Sequence, residues 1–421
     1  MTEVGRRTFL TRSAVVLGGA GVGALAAAGR DDSASAAGGT ASVVERATEE
    51  QLSTRIAFNG RHQAGILNAA PAEATLVALD SVAPNRAVLA QALQVLSRRA
   101  RQLTQGGVIP LLEAERPPAD SGILGPSNAP DRLTVTIAFG ASLFDDRYGL
   151  AARRPKELIP MPAFSVDDLD PKQTHGDVLV QICAAHRDTV VHTVRELLRA
   201  VRGSLQLHWT IDGFQSARRD SHPRSSKRNL FAFRDGTGNP ETTDPHLMDE
   251  LVWTGSDEPA WAAGGTYQVV RLIRMHVEFW DRVGLNEQQR MIGRDRNSGA
   301  PLGGTFEHED PRYDLDRQGD RIPLDAHIRL ANPRTKPTAP QRILRRGYNY
   351  TRGYDAAGQL DQGLAFVAFN QSPARQFATI QQRLADEPMV DYITPFGGGY
   401  FFVPPGAPGD AAWVGSRLFD A

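Results

Sequence analysis

Apolar positions along this chain follow two rhythms that take turns. Residues 74–79, apolar apart from Thr75, read as a strand. Over residues 85–105, Val88, Leu89, Ala92, Leu96, Ala100 and Leu103 share one helical stripe that Gly106-Gly107 ends. Residues 132–139 alternate at period two and residues 177–182 form a second short apolar run, so both predict strands. A helix is predicted over 189–201, where Val190, Val194, Leu197, Leu198 and Val201 lie on one face, before 204–211 alternate again. The order is βαββαβ, a ferredoxin-like motif.

The second half repeats this theme more loosely. Strands are predicted over 265–275, 342–350, 363–370 and 400–403, with helical segments running to residue 292 and a further helix over 373–384. The expected fold class is therefore α+β, with one ferredoxin-like half over residues 50–215 and another over 225–421. Arg, Ser, His and Pro crowd residues 216–228, which reads as the connecting loop. Residues 295–325 carry many charges and glycines with little periodicity. A loop of that length is commonly functional, and this one leads directly to His327.

Composition narrows the chemistry. With 421 residues and 41% hydrophobic content the chain can bury a large core, and its 47 basic against 48 acidic side chains give no global field that would attract nucleic acid. The single cysteine, Cys183, excludes an intramolecular disulfide, an iron–sulfur cluster on four thiolates and covalent haem attachment through C-x-x-C-H. Any haem must then be held non-covalently. Residues 1–37 read as an address: Gly5-Arg6-Arg7-Thr8-Phe9-Leu10-Thr11-Arg12 carries paired arginines before an apolar pair, residues 13–28 are rich in Gly and Ala, and Ala34-Ser35-Ala36-Ala37 offers a cleavage site. That apolar stretch is shorter than the roughly 20 residues needed to span a bilayer. It predicts export through the twin-arginine (Tat) translocase, which carries folded cargo, to the periplasm or the medium.

The chemistry concentrates in three segments. One is Asp325-Ala326-His327-Ile328-Arg329-Leu330-Ala331-Asn332-Pro333-Arg334. A histidine taken alone is usually bonded to solvent on a strand or loop edge, but His327 has company suited to haem iron. An axial ligand needs one neutral imidazole nitrogen for iron and an acceptor on the other, and Asp391 in Met389-Val390-Asp391-Tyr392-Ile393 is the candidate acceptor. The second segment is Phe233-Arg234-Asp235-Gly236-Thr237-Gly238-Asn239-Pro240. An aspartate in such a turn often bonds its own backbone, yet Gly236-Thr237-Gly238 lets the chain approach a flat ligand closely. There Asp235 can take a proton from one oxygen of hydrogen peroxide and return it to the other. The third is Arg345-Arg346-Gly347-Tyr348, in which Arg345 would stabilise charge developing on the leaving oxygen. Arg342 and Arg346 are rivals, although strand alternation turns Arg345 and Arg346 to opposite faces.

Arg294 and Arg334 are candidates for haem propionates, which guanidinium pairs with well. Cys183 and His186 make a C-x-x-H spacing without a second pair, so a buried structural cysteine is expected. His62 could line a pocket or sit in a loop. The chain has no P-loop, no zincin motif and no G-x-S-x-G.

Taken together, these segments resemble the dye-decolourising peroxidases, specifically the Tat-exported branch that includes deferrochelatase/peroxidase proteins. The resemblance extends over nearly all the chain after the signal. It includes Gly60-Arg61-His62-Gln63-Ala64-Gly65-Ile66 and Gly397-Gly398-Gly399-Tyr400-Phe401-Phe402-Val403-Pro404-Pro405-Gly406 as well as the three segments above. It implies a dimeric α+β barrel whose second half binds one haem b per chain, with His327 proximal, Asp235 and Arg345 distal, and Gly236, Thr237, Gly238, Asn332, Pro333 and Arg334 among the cofactor contacts. Hydrogen peroxide and organic donors such as dyes and phenols are the implied substrates. Release of iron from haem is an alternative, as is a non-catalytic haem-binding accessory with iron-uptake partners, and a homo-oligomer is compatible with either. One departure stands out: Ala232 occupies the first position of the family's G-x-x-D-G, which predicts a small backbone adjustment.

Overall fold

The apolar runs become nine strands of one antiparallel sheet in the computed structural model, which describes residues 48–219 and 225–420. The strands are β1 (Glu73–Ser81), β2 (Thr134–Gly140), β3 (Val178–Ala184), β4 (Leu205–Phe214), β5 (Thr266–Met275), β6 (Leu344–Arg345), β7 (Tyr348–Tyr354), β8 (Leu360–Asn370) and β9 (Ile393–Val403). The helices are α1 (Arg86–Gln105), α2 (Arg187–Ala200), α3 (Pro245–Leu251), α4 (Val277–Trp280), α5 (Leu285–Ile292), α6 (His327–Ala331) and α7 (Thr379–Arg383). Local chemistry sets their ends. Asn85 caps α1 by accepting from Val88 N–H at 3.0 Å, and Gly106 ends it at φ 67°.

Strand order is β6-β8-β7-β4-β1-β3-β2-β9-β5, and β5 pairs back onto β8, so the sheet closes into a barrel. The first half contributes β4-β1-β3-β2 and the second β7-β8-β5-β9, which read from β9 has the same relative order. Both halves are thus ferredoxin-like, as the sequence predicts. Strand faces explain why several runs are almost continuously apolar. On β1, Val77 and Leu79 pack with α1 and α2 residues such as Leu89, Leu96, Val190 and Leu197, while Leu76 and Ala78 join Leu179, Val270 and Phe401 in a second core. Burial on both faces removes the polar alternation a half-exposed strand would show.

Some bounds differ from expectation for physical reasons. The strand predicted over 342–350 breaks between Arg345 and Tyr348, and β9 starts at Ile393, ahead of the predicted 400, running through a register shift between Pro395 and Gly397. The helix predicted over 373–384 begins as a π turn, Ala374–Ala378, before α7. His327 opens a short helix and not a strand edge. The signal reading for residues 1–37 lies outside the described residues.

The halves meet at two narrow joints. β2 and β9 share the pairs Phe401↔Gly140 and Phe402↔Phe139, and β7 meets β4 at Asn349↔Phe214. At the second joint, a Cβ on Gly213 would stand 2.6 Å from Tyr348 Cβ, so glycine is what lets these strands approach. We expect Gly213→Ala to destabilise the fold by roughly 1–3 kcal/mol through overpacking. Thermal unfolding would show a midpoint several degrees below that of Gly409→Ala, whose methyl meets nothing within 4 Å. Equal midpoints would show that the joint tolerates a side chain.

Candidate active site

One cavity gathers most of the residues singled out from sequence. Its walls come from Ile273 and Met275 on β5, Leu364 and Phe366 on β8, Ile328 and Ala331 on α6, Ile380 on α7, and the turn holding Phe233 and Asp235. About 1550 Å³ is unfilled by protein atoms, counted out to the mouth. The walls are predominantly apolar, which suits a flat hydrophobic ligand with a few fixed polar contacts.

His327 lines this cavity from the first position of α6. Its Nδ1 lies 2.7 Å from Oε2 of Glu387, a carboxylate only 3% exposed. The expected acceptor, Asp391, is therefore corrected to Glu387: Asp391 sits in the 3-10 turn Pro388–Tyr392 on its exposed side, while Glu387 precedes that turn and is buried. Burial by itself would push the imidazole's pKa down. The charge and hydrogen bond of Glu387 outweigh it, so the net shift is upward. With Nδ1 engaged, Nε2 is the nitrogen left for a ligand in the cavity.

Asp235 and Arg345 meet in an ion pair, Oδ1 to Nη1 at 2.8 Å, and both line the same cavity. They arrive on separate elements. Asp235 belongs to a short ladder in which Arg234–Asp235 pairs with Lys227–Arg228, and Arg345 sits on β6 opposite Ala368. Asn239 ties them: its Nδ2 donates to the Arg345 carbonyl at 2.8 Å, and its Oδ1 accepts from Arg345 N–H at 3.1 Å. Sequence reasoning had Asn239 only as a turn residue. A side-chain amide that offers both a donor and an acceptor is the signal that could have marked it. Arg342 also lines the cavity but its Nε is bonded to the Ala339 carbonyl, and Arg346 faces elsewhere, as strand alternation predicts.

Thr237 and Gly238 line the cavity, and Gly236, at φ 102°, makes the turn. Thr237 Oγ1 donates to Glu307 at 2.8 Å, which moors the Asp235 turn to the long loop. Arg294, Asn332 and Arg334 line the cavity as well. Pro333 does not; it is corrected to a backbone element between two residues that do. Arg294 is buried and its Nη1 donates to the carbonyls of Gly299 at 2.6 Å and Glu307 at 2.8 Å, so it also braces the loop. Near Arg294 and Arg334 lies Tyr313, whose buried hydroxyl has no hydrogen-bond partner among the described residues and whose pKa burial pushes up to about 12. An orphaned phenol beside two guanidiniums, in a predominantly apolar cavity that also offers a free imidazole nitrogen, fits a flat metal macrocycle bearing carboxylates.

Other candidates lie apart. His62 stacks on Trp253 with centroids 3.7 Å apart and bonds the Gly264 carbonyl, outside the cavity. Cys183 is buried and free, and His186 bonds Asp131 at 2.7 Å, so the C-x-x-H spacing is structural.

The family model described as "Dyp-type peroxidase, N-terminal" matches residues 63–215, and "Dyp-type peroxidase, C-terminal" matches residues 226–408. The chain is 46% identical over 410 residues to a protein of Escherichia coli O157:H7 named Deferrochelatase, covering 94% of this chain and 95% of that one. A Deferrochelatase of Yersinia pestis is 45% identical over 377 residues, 89% of this chain and 87% of its own length. Among solved structures, a DyP-type peroxidase from Cellulomonas bogoriensis superposes with a TM-score of 0.78 at 34% identity, covering 88% of this chain and 99% of the other. Ferric DtpA from Streptomyces lividans gives 0.78 at 33% identity, with 88% and 98% covered.

The turn before Asp235 carries strain. Ala232 has φ 69°, a left-handed conformation that costs a non-glycine residue roughly 1–2 kcal/mol. Its carbonyl accepts from Arg228 at 2.7 Å and its N–H bonds the Asn229 carbonyl at 3.0 Å, which hold it there. Glycine loses more chain entropy on folding, about 0.4–1 kcal/mol, so relief of strain should win narrowly. We expect Ala232→Gly to raise the unfolding midpoint by a degree or more; a lowered midpoint would mean that the turn is not strained at this residue.

Proposed function

The chain belongs to the Dyp-type peroxidase family, and we propose that it holds one haem b non-covalently on His327 and uses hydrogen peroxide to oxidise organic donors such as dyes and phenols. The observation that carries this is the meeting in one apolar cavity of a carboxylate-backed imidazole, His327 with Glu387, and the Asp235–Arg345 pair. Haem, when bound, supplies the iron at which peroxide is reduced and from which donors are oxidised.

The protein's own part is positioning and proton handling. His327 offers Nε2 to the iron, and Glu387 fixes the tautomer and makes the ring a stronger electron donor. Asp235 accepts the proton from one peroxide oxygen and delivers it to the other, which leaves as water. Arg345 keeps a fixed positive charge beside that oxygen, where negative charge develops. Asn239 holds donor and acceptor strands in register, so the carboxylate and guanidinium need no rearrangement when peroxide arrives. Arg334, Tyr313 and Arg294 are the groups suited to propionates, and the apolar walls keep bulk water from the reacting atoms.

Export by the Tat translocase belongs to the same proposal, resting on the Arg6-Arg7 segment. No helix among the described residues is long and apolar enough to cross a membrane. Release of iron from haem with the porphyrin intact is a second reading, favoured by the relatives named Deferrochelatase; iron-uptake partners would then follow. A haem carrier would have no use for the Asp235–Arg345 pair.

The test is turnover and loading in two variants. His327→Ala should lose stable haem binding. Asp235→Asn should keep haem but slow its reaction with peroxide by about a hundredfold to ten-thousandfold in stopped flow, the usual scale of general acid–base help. Wild-type rates in Asp235→Asn would reduce Asp235 to a turn residue, and metal-free porphyrin appearing without peroxide-dependent dye loss would favour the second reading.

A further inference from the structure

Between α1 and β2 the chain makes an excursion, residues 106–131, that contributes nothing to the barrel sheet. Its limbs run antiparallel at the base, where Gly107–Val108 pairs with Ser127–Asn128 and Ile109 N–H bonds the Pro126 carbonyl at 3.0 Å. The inner side is fastened to both long helices. Asp120, 4% exposed, pairs with Arg99 of α1 at 3.0 Å and meets Nε2 of His192 of α2 at 2.8 Å. Glu196 of α2 accepts from the Ser121 N–H at 2.9 Å and from the same Arg99 at 2.7 Å. Arg99 thus stands where a metal ion would need to be, and the cluster is a clasp.

The outer side of the excursion is apolar. Leu111 is 97% exposed and Val108 84%, the two most exposed large apolar side chains among the described residues, and Leu112 and Ile123 are exposed as well. Single exposed aliphatics need no explanation, but four on one short, clasped excursion mark an interaction surface.

Charge indicates what covers it. Glu113 and Glu115 follow the apolar run and are exposed, with Arg116 offsetting one of them. The flanking helices show the opposite sign outward: Arg98 on α1, Arg195 on α2 and Arg202 just past its end are exposed, whereas Glu196 is turned inward to the clasp. An acidic excursion beside a basic helix face on the same molecule is self-complementary. About a two-fold axis, each excursion meets the other copy's arginines while the apolar residues meet near the axis. The excursion and the outward residues of the two helices approach the size that a specific pairing needs, about 20–30 residues a side.

We propose that this face pairs two copies of the chain, with Val108, Leu111, Leu112 and Ile123 at the centre and Glu113 and Glu115 of each copy against Arg195 and Arg202 of the other. The pairing does not rest on the peroxidase reading, and it is read out as mass and not as turnover.

Sedimentation velocity over a dilution series of the haem-loaded protein tests it. The parent should sediment as a dimer that dissociates on dilution. Leu111→Asp should weaken dimerisation by roughly a hundredfold, because a two-fold interface carries each substitution twice; a side chain so exposed has no part in folding. Arg195→Glu with Arg202→Glu should weaken it too, and adding Glu113→Arg with Glu115→Arg should restore it, which no other interface would do. A parent that is monomeric throughout would overturn the proposal, and one that also floats with anionic phospholipid vesicles would assign the patch to a lipid surface instead. Dimerisation unchanged in Leu111→Asp, or charge reversals without effect or without rescue, would equally overturn it.

Discussion

A carboxylate that is 3% exposed is costly to keep charged unless a partner answers it, and Glu387 has its answer in the Nδ1 of His327 at 2.7 Å. Much of the site depends on that contact. It orients the ring on a five-residue helix too short to be rigid by itself, and commits one nitrogen so that the other faces the cavity. It also raises the ring's affinity for positive charge, whether a proton or iron. Removing His327 leaves the Glu387 carboxylate buried without compensation, and removing Glu387 frees the ring to turn, so the pair is a unit.

The opposing chemistry is assembled by a different device. Asp235 and Arg345 are 110 residues apart in sequence, on two-residue strand segments with little rigidity of their own. Asn239 closes the gap with paired bonds to the backbone of Arg345, and Thr237 links the same turn through Glu307 to the long loop that Arg294 braces from within. The barrel, closed by β5 on β8, provides the fixed frame for these short segments. The loop over 295–325, without regular structure apart from a 3-10 turn, is thus part of the site's framework as well as the approach to His327.

The barrel strands and both long helices were legible because their periodicity is strong and their ends carry chemistry, such as Asn85 and Gly106 on α1. His327, Asp235 and Arg345 were legible because each sits in a distinctive local motif. Glu387 was not: nothing local separates it from Asp386 or Asp391, and only the three-dimensional path of the 3-10 turn decides which carboxylate is buried. Tyr313 was hidden for a related reason, since an unsatisfied donor is a property of packing and not of spacing. The early start of β9 was masked by Pro395 and three glycines, residues that usually interrupt a strand.

The most direct measurement of the central contact is the iron–histidine stretching frequency of the ferrous, haem-loaded protein by resonance Raman, in the parent and in Glu387→Gln. A glutamine can still accept from Nδ1–H but carries no charge, so the frequency should fall while haem remains bound. An identical frequency in both proteins would contradict a carboxylate-backed His327 as the iron ligand.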